Sequence, residues 1–160
     1  MTLCFPLPRC IYDYRLRNAI KADDFSYDGL LLNGRVVSVY DGDTLRIVFR
    51  YRGVLQQHSC RMLGYDSPEM KPPLKNKDRE LEKDAALLAK AALEAQVTQT
   101  PLIKVECHRF DKYGRILVVL YTRTRFGRKG YNINNYMLDN GYGVPYDGGT
   151  KAVSNYGNDE

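Results

Sequence analysis

Between Gly34 and Leu63 the chain reads as three β-strands in immediate succession, and that pattern limits the available folds more than any other feature. Arg35 to Tyr40 is strand-like, Asp41-Gly42-Asp43 turns the chain, and Thr44 to Phe49 resumes as a strand. In this second run Leu45, Ile47 and Phe49 share one face while Thr44, Arg46 and Val48 share the other, the period-two alternation of a half-buried strand. Arg52-Gly53 then turns the chain into a third run that reaches Arg61, Met62 and Leu63. Connections this short make the three strands a meander.

Lys71-Pro72-Pro73 breaks regular structure and opens a basic loop. A helix is predicted from Asp78 to about Gln96, with Leu81, Ala85, Leu88, Ala92 and Ala95 forming one apolar stripe. Asp78, Glu80, Glu82 and Asp84 suit the positive end of its dipole. Strands are predicted over Leu102 to Cys107 and Ile116 to Tyr121, followed by a short helix from Asn132 to about Asn140 that ends at Gly141. This order is α+β: a five-stranded OB-fold-type β-barrel with a helix between strands 3 and 4 and a short C-terminal helix. Residues 1–33 read as an N-terminal extension, 34–146 as the domain and 147–160 as a polar, Gly-rich tail. Leu30-Leu31-Leu32 gives the extension an apolar surface for packing.

A length of 160 residues suits one domain, and 44% hydrophobic with 27% charged residues excludes a disordered chain. The net charge of +5 suggests a polyanionic partner without specifying one. Cys4, Cys10, Cys60 and Cys107 match no zinc spacing and no dense disulfide framework, so a reducing compartment is expected, with Cys60 and Cys107 as small core residues. The stretch from Leu3 to Pro8 is too short and proline-broken for a signal-peptide core, and no run is long enough to span a membrane. A soluble, intracellular monomer with no membrane partner is expected. His58 and His108 read as partly exposed strand residues.

Three clusters carry possible chemistry. Asp41-Gly42-Asp43-Thr44 can turn two carboxylates toward one point, as hard cations require, although Asp-Gly is also a strong hairpin signal. Arg61 to Glu69 combines an Arg at a strand end with a turn presenting Asp66 and Glu69, and Pro68 restricts Ser67 to extended geometry that could aim its carbonyl at an ion. Asp111-Lys112-Tyr113-Gly114-Arg115 brings a second Arg to a strand start. Each alone also reads as an ordinary turn. Together they supply carboxylates for a metal, a carboxylate base and two guanidinium groups for phosphate.

This combination resembles the staphylococcal nuclease (thermonuclease) family over roughly Gly34 to Tyr146. The resemblance implies that Asp43 and Asp66 bind Ca²⁺ directly with the Ser67 carbonyl, where the family usually has Thr, while Asp41, through water, and Thr44 support the ion. It implies Glu69 as general base, Arg61 and Arg115 on the phosphate, and Tyr113, Lys112 and Tyr146 around the nucleotide. The implied substrate is single-stranded or locally open DNA, with RNA left open. The alternative is a catalytically inert OB-fold module that binds nucleic acid or protein. The loop between Cys107 and Asp111 is shorter than in the family's bacterial enzyme, the stretch from Arg123 to Gly130 is longer and more basic, and the family's long C-terminal helix is expected to be absent or shortened. The basic segments Lys71 to Arg79 and Arg123 to Lys129 fit either a groove that tracks a nucleic-acid backbone or a solvated face.

Overall fold

The computed structural model describes residues 14, 16, 17, 19–21, 24–74 and 78–147. Cys4, Cys10, residues 75–77 of the basic loop and the tail beyond residue 147 lie outside the described residues. The meander consists of β1 (Leu31–Val39), β2 (Thr44–Tyr51) and β3 (Val54–Met62), followed by a two-residue strand β4 (Tyr65–Asp66) and a long helix α1 (Arg79–Thr98). Next come β5 (Ile103–Phe110), β6 (Ile116–Arg123), β7 (Lys129–Asn132), helix α2 (Ile133–Asp139) and a second short strand β8 (Val144–Pro145).

The strands pair in the order β3-β2-β1-β5-β6-β7, and a parallel pairing of β3 with β6 closes the ring. The fold is therefore a closed five-stranded mixed barrel of the OB type. One edge of β6 serves two partners: Ile116 to Val118 pairs with β3, while Tyr121 and Arg123 pair with β7. The alternation read from the sequence sets the inside, with Leu45, Ile47 and Phe49 at most 1% exposed. Cys60 and Cys107 are free and buried among them. Burying each large apolar side chain contributes on the order of 2 kcal/mol. Among the described residues no helix is long and apolar enough to cross a membrane.

Three local features depart from the sequence reading. β1 begins at Leu31, within the segment assigned to the extension, and pairs with β5 from Leu31 to Gly34. Tyr27 is 1% exposed and packs edge-on against Phe25, Phe49 and Tyr51. Its hydroxyl meets Gln56 and, at 2.9 Å, His58 Nε2. Burial lowers the His58 pKa, which favours its neutral ring. The third departure concerns α1, which does not bury the stripe through Leu81 and Leu88. Those residues are 55% and 65% exposed, and the helix instead buries Ala86, Ala89, Leu93, Gln96 and Val97.

The reason for that last difference is closeness. A Cβ on Gly42 would lie 2.7 Å from the Ala89 Cβ and 2.8 Å from the Ser67 Cβ, so helix, first turn and third-strand loop meet with no room between them. A leucine at Ala89 would hold the helix away from the turn. Gly42→Ala should accordingly destabilise the protein by about 1–3 kcal/mol, the usual cost of overpacking, as read by urea unfolding. Wild-type stability would show that the turn can shift at no cost.

Candidate active site

Barrel closure decides which side chains meet. Arg61, the penultimate residue of β3, pairs with Thr44 on one side and Leu117 on the other. Asp43 continues that pairing, because its carbonyl accepts from Met62 N at 2.8 Å. Arg115 immediately precedes β6 and so arrives beside the same end of β3. Three segments distant in sequence thus open onto one cleft of about 260 Å³, lined by Asp41, Asp43, Thr44, Arg61, Asp66, Ser67, Pro68, Glu69, Tyr113 and Arg115.

Within it runs a continuous chain of polar contacts. Arg61 Nη2 bonds Asp66 Oδ1 and lies 3.0 Å from Asp43 Oδ2, so one nitrogen bridges two buried carboxylates. Thr44 Oγ1 donates to Asp43 Oδ1 at 2.7 Å and accepts from Arg115 Nη1 at 3.2 Å. Arg115 Nε donates to Asp111 Oδ2 at 2.7 Å, which fixes the guanidinium plane beside the cleft. Asp41 Oδ1 accepts from the backbone N of Asp43 and Thr44 at 3.1 and 2.7 Å, an Asx turn that shapes the loop.

These contacts leave Asp43 short of positive charge. Burial, together with the nearby Asp41 and Asp66 carboxylates, outweighs Arg61 and the Thr44 bond and raises its pKa to about 7. Arg61 responds in the opposite sense: burial disfavours its charge, but Asp43 and Asp66 dominate and raise its pKa.

Nine of the residues singled out in the sequence line the cleft: Asp41, Asp43, Thr44, Arg61, Asp66, Ser67, Glu69, Tyr113 and Arg115. Tyr146 sits beside them, its ring 5.6 Å from the Arg61 guanidinium, and Lys112 stands outside on the Tyr113 ring at 5.0 Å. The basic run from Arg123 to Lys129 does not line the cleft; it lies at the opposite end of β6. Sequence reasoning missed the supports. Tyr65 donates to the Gly42 carbonyl at 2.7 Å, and burial, with Asp43 and Asp41 nearby, raises its pKa well above the ordinary value and keeps that proton in place. Asn134, 3% exposed, accepts from Leu120 N and donates to the Leu63 and Val118 carbonyls, tying α2 to the β3–β6 seam. Glu82 on α1 accepts from Glu69 N at 3.2 Å. A polar residue on a helix is a weak signal: the sequence marked Glu82 only for its place near the helix dipole, and it marked neither Tyr65 nor Asn134 as a support.

The model of the family described as staphylococcal nuclease homologue matches residues 59–158, more than half of the chain. The chain belongs to that family. No curated protein sequence matches it. Its fold is therefore of the nuclease-type or nucleic-acid-binding class. The match begins inside β3 and contains Arg61, Asp66, Glu69 and Arg115, whereas Asp41, Asp43 and Thr44 precede it and join the cleft through strand pairing.

The homologue's donor set suits a hard divalent cation. The cleft lining offers four carboxylates against two guanidinium groups, and all its candidate ligands are oxygens. Among the described residues no three His, Cys, Asp or Glu side chains converge as a metal cluster. Carbonyl and water oxygens, which Ca²⁺ accepts readily, would complete such a shell.

The Asp43 shift also fixes the sign of a pH effect. A carboxyl with a pKa near 7 when folded and about 3.9 when unfolded keeps its proton only in the folded state between those values, so its contribution to stability falls as pH rises through about 7. In EDTA, urea unfolding should show a loss on the order of 2 kcal/mol between pH 5.5 and 8. Asp43→Asn should abolish most of that slope. Asp111 acts outside this window: burial opposes ionisation, but its bonds from Arg115 and Tyr113 hold its pKa below the ordinary value. A stability that rises from pH 5.5 to 8 would contradict the electrostatics described here.

Proposed function

We propose that this chain is a Ca²⁺-dependent endonuclease that hydrolyses phosphodiester bonds of DNA, with RNA left open as a second substrate, shows little sequence selectivity and leaves 3′-phosphate ends. The observation that carries the proposal is the convergence of Asp43, Asp66, Glu69, Arg61 and Arg115 on one cleft from three segments of the barrel. On this reading residues 34–146 carry the nuclease, with β1 reaching back to Leu31, and residues 1–33 and 147–160 flank it.

Asp43, Asp66 and the Ser67 carbonyl would hold Ca²⁺, with Asp41 and Thr44 supporting them. Bound there, the ion supplies Lewis acidity and positive charge to a phosphate oxygen. The protein's own groups do the rest. Arg61 and Arg115 are about one-fifth exposed, sheltered enough from water for their charge to act strongly on the equatorial oxygens of the phosphate. Asp111 holds Arg115 at Nε and Thr44 accepts from its Nη1, which leaves Nη2 to reach phosphate. Glu69 takes a proton from the attacking water as its oxygen bonds to phosphorus. The bond to the 5′ oxygen breaks, the departing oxygen gains a proton, and the phosphate stays on the 3′ side. Tyr113, 72% exposed, offers a ring to the neighbouring sugar or base.

Circular DNA should be nicked and linearised with Ca²⁺ and left intact in EDTA, with end-labelling revealing 3′-phosphates. Glu69→Gln should lose on the order of 10²–10⁴-fold in kcat. Binding without cleavage in every metal would favour an inert OB-fold module, and cleavage in EDTA equal to that in Ca²⁺ would remove the metal from the mechanism.

Arg115→Lys tests the phosphate clamp. A lysine keeps the charge but cannot hold Asp111 and phosphate with one planar group, so a loss on the order of 10²–10³-fold is expected. Activity within a few-fold of wild type would place Arg115 outside the reaction.

A further inference from the structure

Outside the cleft, the most unusual exposed group is Phe126. It is 89% exposed and stands between Arg125 and Arg128, both near the tip of the β6–β7 hairpin. We propose that this tip is a second nucleic-acid contact, in which Phe126 stacks on an unpaired base while Arg125 and Arg128 hold the flanking phosphates.

The tip is built, not loose. Gly127 N donates to the Thr124 carbonyl at 2.9 Å, Thr124 N donates to the Arg128 carbonyl at 3.0 Å, and Arg128 N donates to Thr124 Oγ1 at 3.0 Å. Gly127 takes φ +76°, the left-handed step that lets a tight turn rejoin its partner strand. A Cβ on Gly127 would lie 3.2 Å from an Arg123 terminal nitrogen, so Arg123 folds back under the turn. Lys129, by contrast, is committed to Glu106 and lies over the Tyr121 ring. Among the described residues no carboxylate pairs with Arg125 or Arg128. A locked turn thus presents one aromatic ring between two uncompensated guanidinium groups.

That chemistry selects its partner. Guanidinium groups grip phosphate oxygens, and every base offers a π-face to an exposed ring, so the combination suits a single strand of any sequence. A lipid surface would need more apolar area than one ring, and an acidic protein would gain little from that ring. The same pairing of Arg with an aromatic recurs in the cleft, where Arg115 lies over Tyr113 and Arg61 over Tyr146. Arg115 and Arg123 stand at opposite ends of β6, whose eight residues span roughly 25 Å. The tip acts on binding of longer strands and leaves the chemistry in the cleft untouched.

The chain contains no Trp, so Phe126→Trp introduces a background-free reporter. With EDTA present, titration with a twenty-nucleotide thymidine strand should quench that fluorescence saturably. Phe126→Ser combined with Arg125→Ser and Arg128→Ser should weaken binding of the same strand on the order of tenfold. It should also flatten the plot of log affinity against log salt by about 1.4, or 0.7 for each phosphate that is no longer neutralised. Cleavage of a dinucleotide substrate should stay within twofold. The binding arms need no catalysis, so they stand even if the nuclease reading fails. Absence of quenching with unchanged affinity and slope overturns the proposal, as does quenching by phosphatidylserine vesicles but not by the strand.

Discussion

One guanidinium group between two buried carboxylates organises this protein. Asp43 and Asp66 are 4% and 6% exposed, and neither could be held there as an unpaired charge. Removing one partner from such a buried arrangement costs about 3–5 kcal/mol, so Arg61 ties the ends of β2, β3 and β4 together as firmly as an apolar contact would. The arrangement is nevertheless under-neutralised: two carboxylates share one cation, with Asp41 close by. A site with that imbalance is structurally sound and chemically unsatisfied, the condition in which a divalent cation gains most from binding.

Around that core, small residues and buried hydrogen bonds provide the tolerance the site requires. Gly42 lets the first turn rest against Ala89, and a Cβ on Gly143 would lie 2.9 Å from the Asp66 carbonyl oxygen. β8 then covers β4 through the pairs Tyr65–Pro145 and Asp66–Val144, which brings Tyr146 over Arg61. Tyr65 holds the Gly42 carbonyl from beneath. None of these groups offers chemistry of its own, yet each limits how far a carboxylate or guanidinium can drift.

The barrel and most of the cleft were legible in the sequence for different reasons. Period-two alternation in residues 44–49 reports burial directly, so the inward face of β2 was readable without any partner. Helix α1 was not, because it carries two apolar stripes one residue out of phase. Bulk favours the one through Leu81 and Leu88, whereas the fit against Gly42 selects the one through Ala86 and Ala89, and only the neighbouring loop decides between them. Tyr27 and Asn134 were hidden for a related reason: each acquires its role from strands far away in sequence. The charged cleft residues were legible because their types and order are chemically restrictive, although Lys112 shows that adjacency to a motif does not place a side chain in the site.

The parallel seam between β3 and β6 has a consequence for how the protein comes into being. It joins Cys60 to Ile116 and Met62 to Val118, a separation of more than fifty residues, and no shorter-range pairing substitutes for it. Such pairings form late, because the chain entropy given up in closing the loop is recovered only once the strands meet. Arg61 and Arg115 become neighbours through that same event. A chain emerging during synthesis, or one partly unfolded, carries its guanidinium groups apart and its carboxylates unclamped. The cleft therefore comes together only when this seam closes, so the proposed action on phosphate depends on the fold being complete.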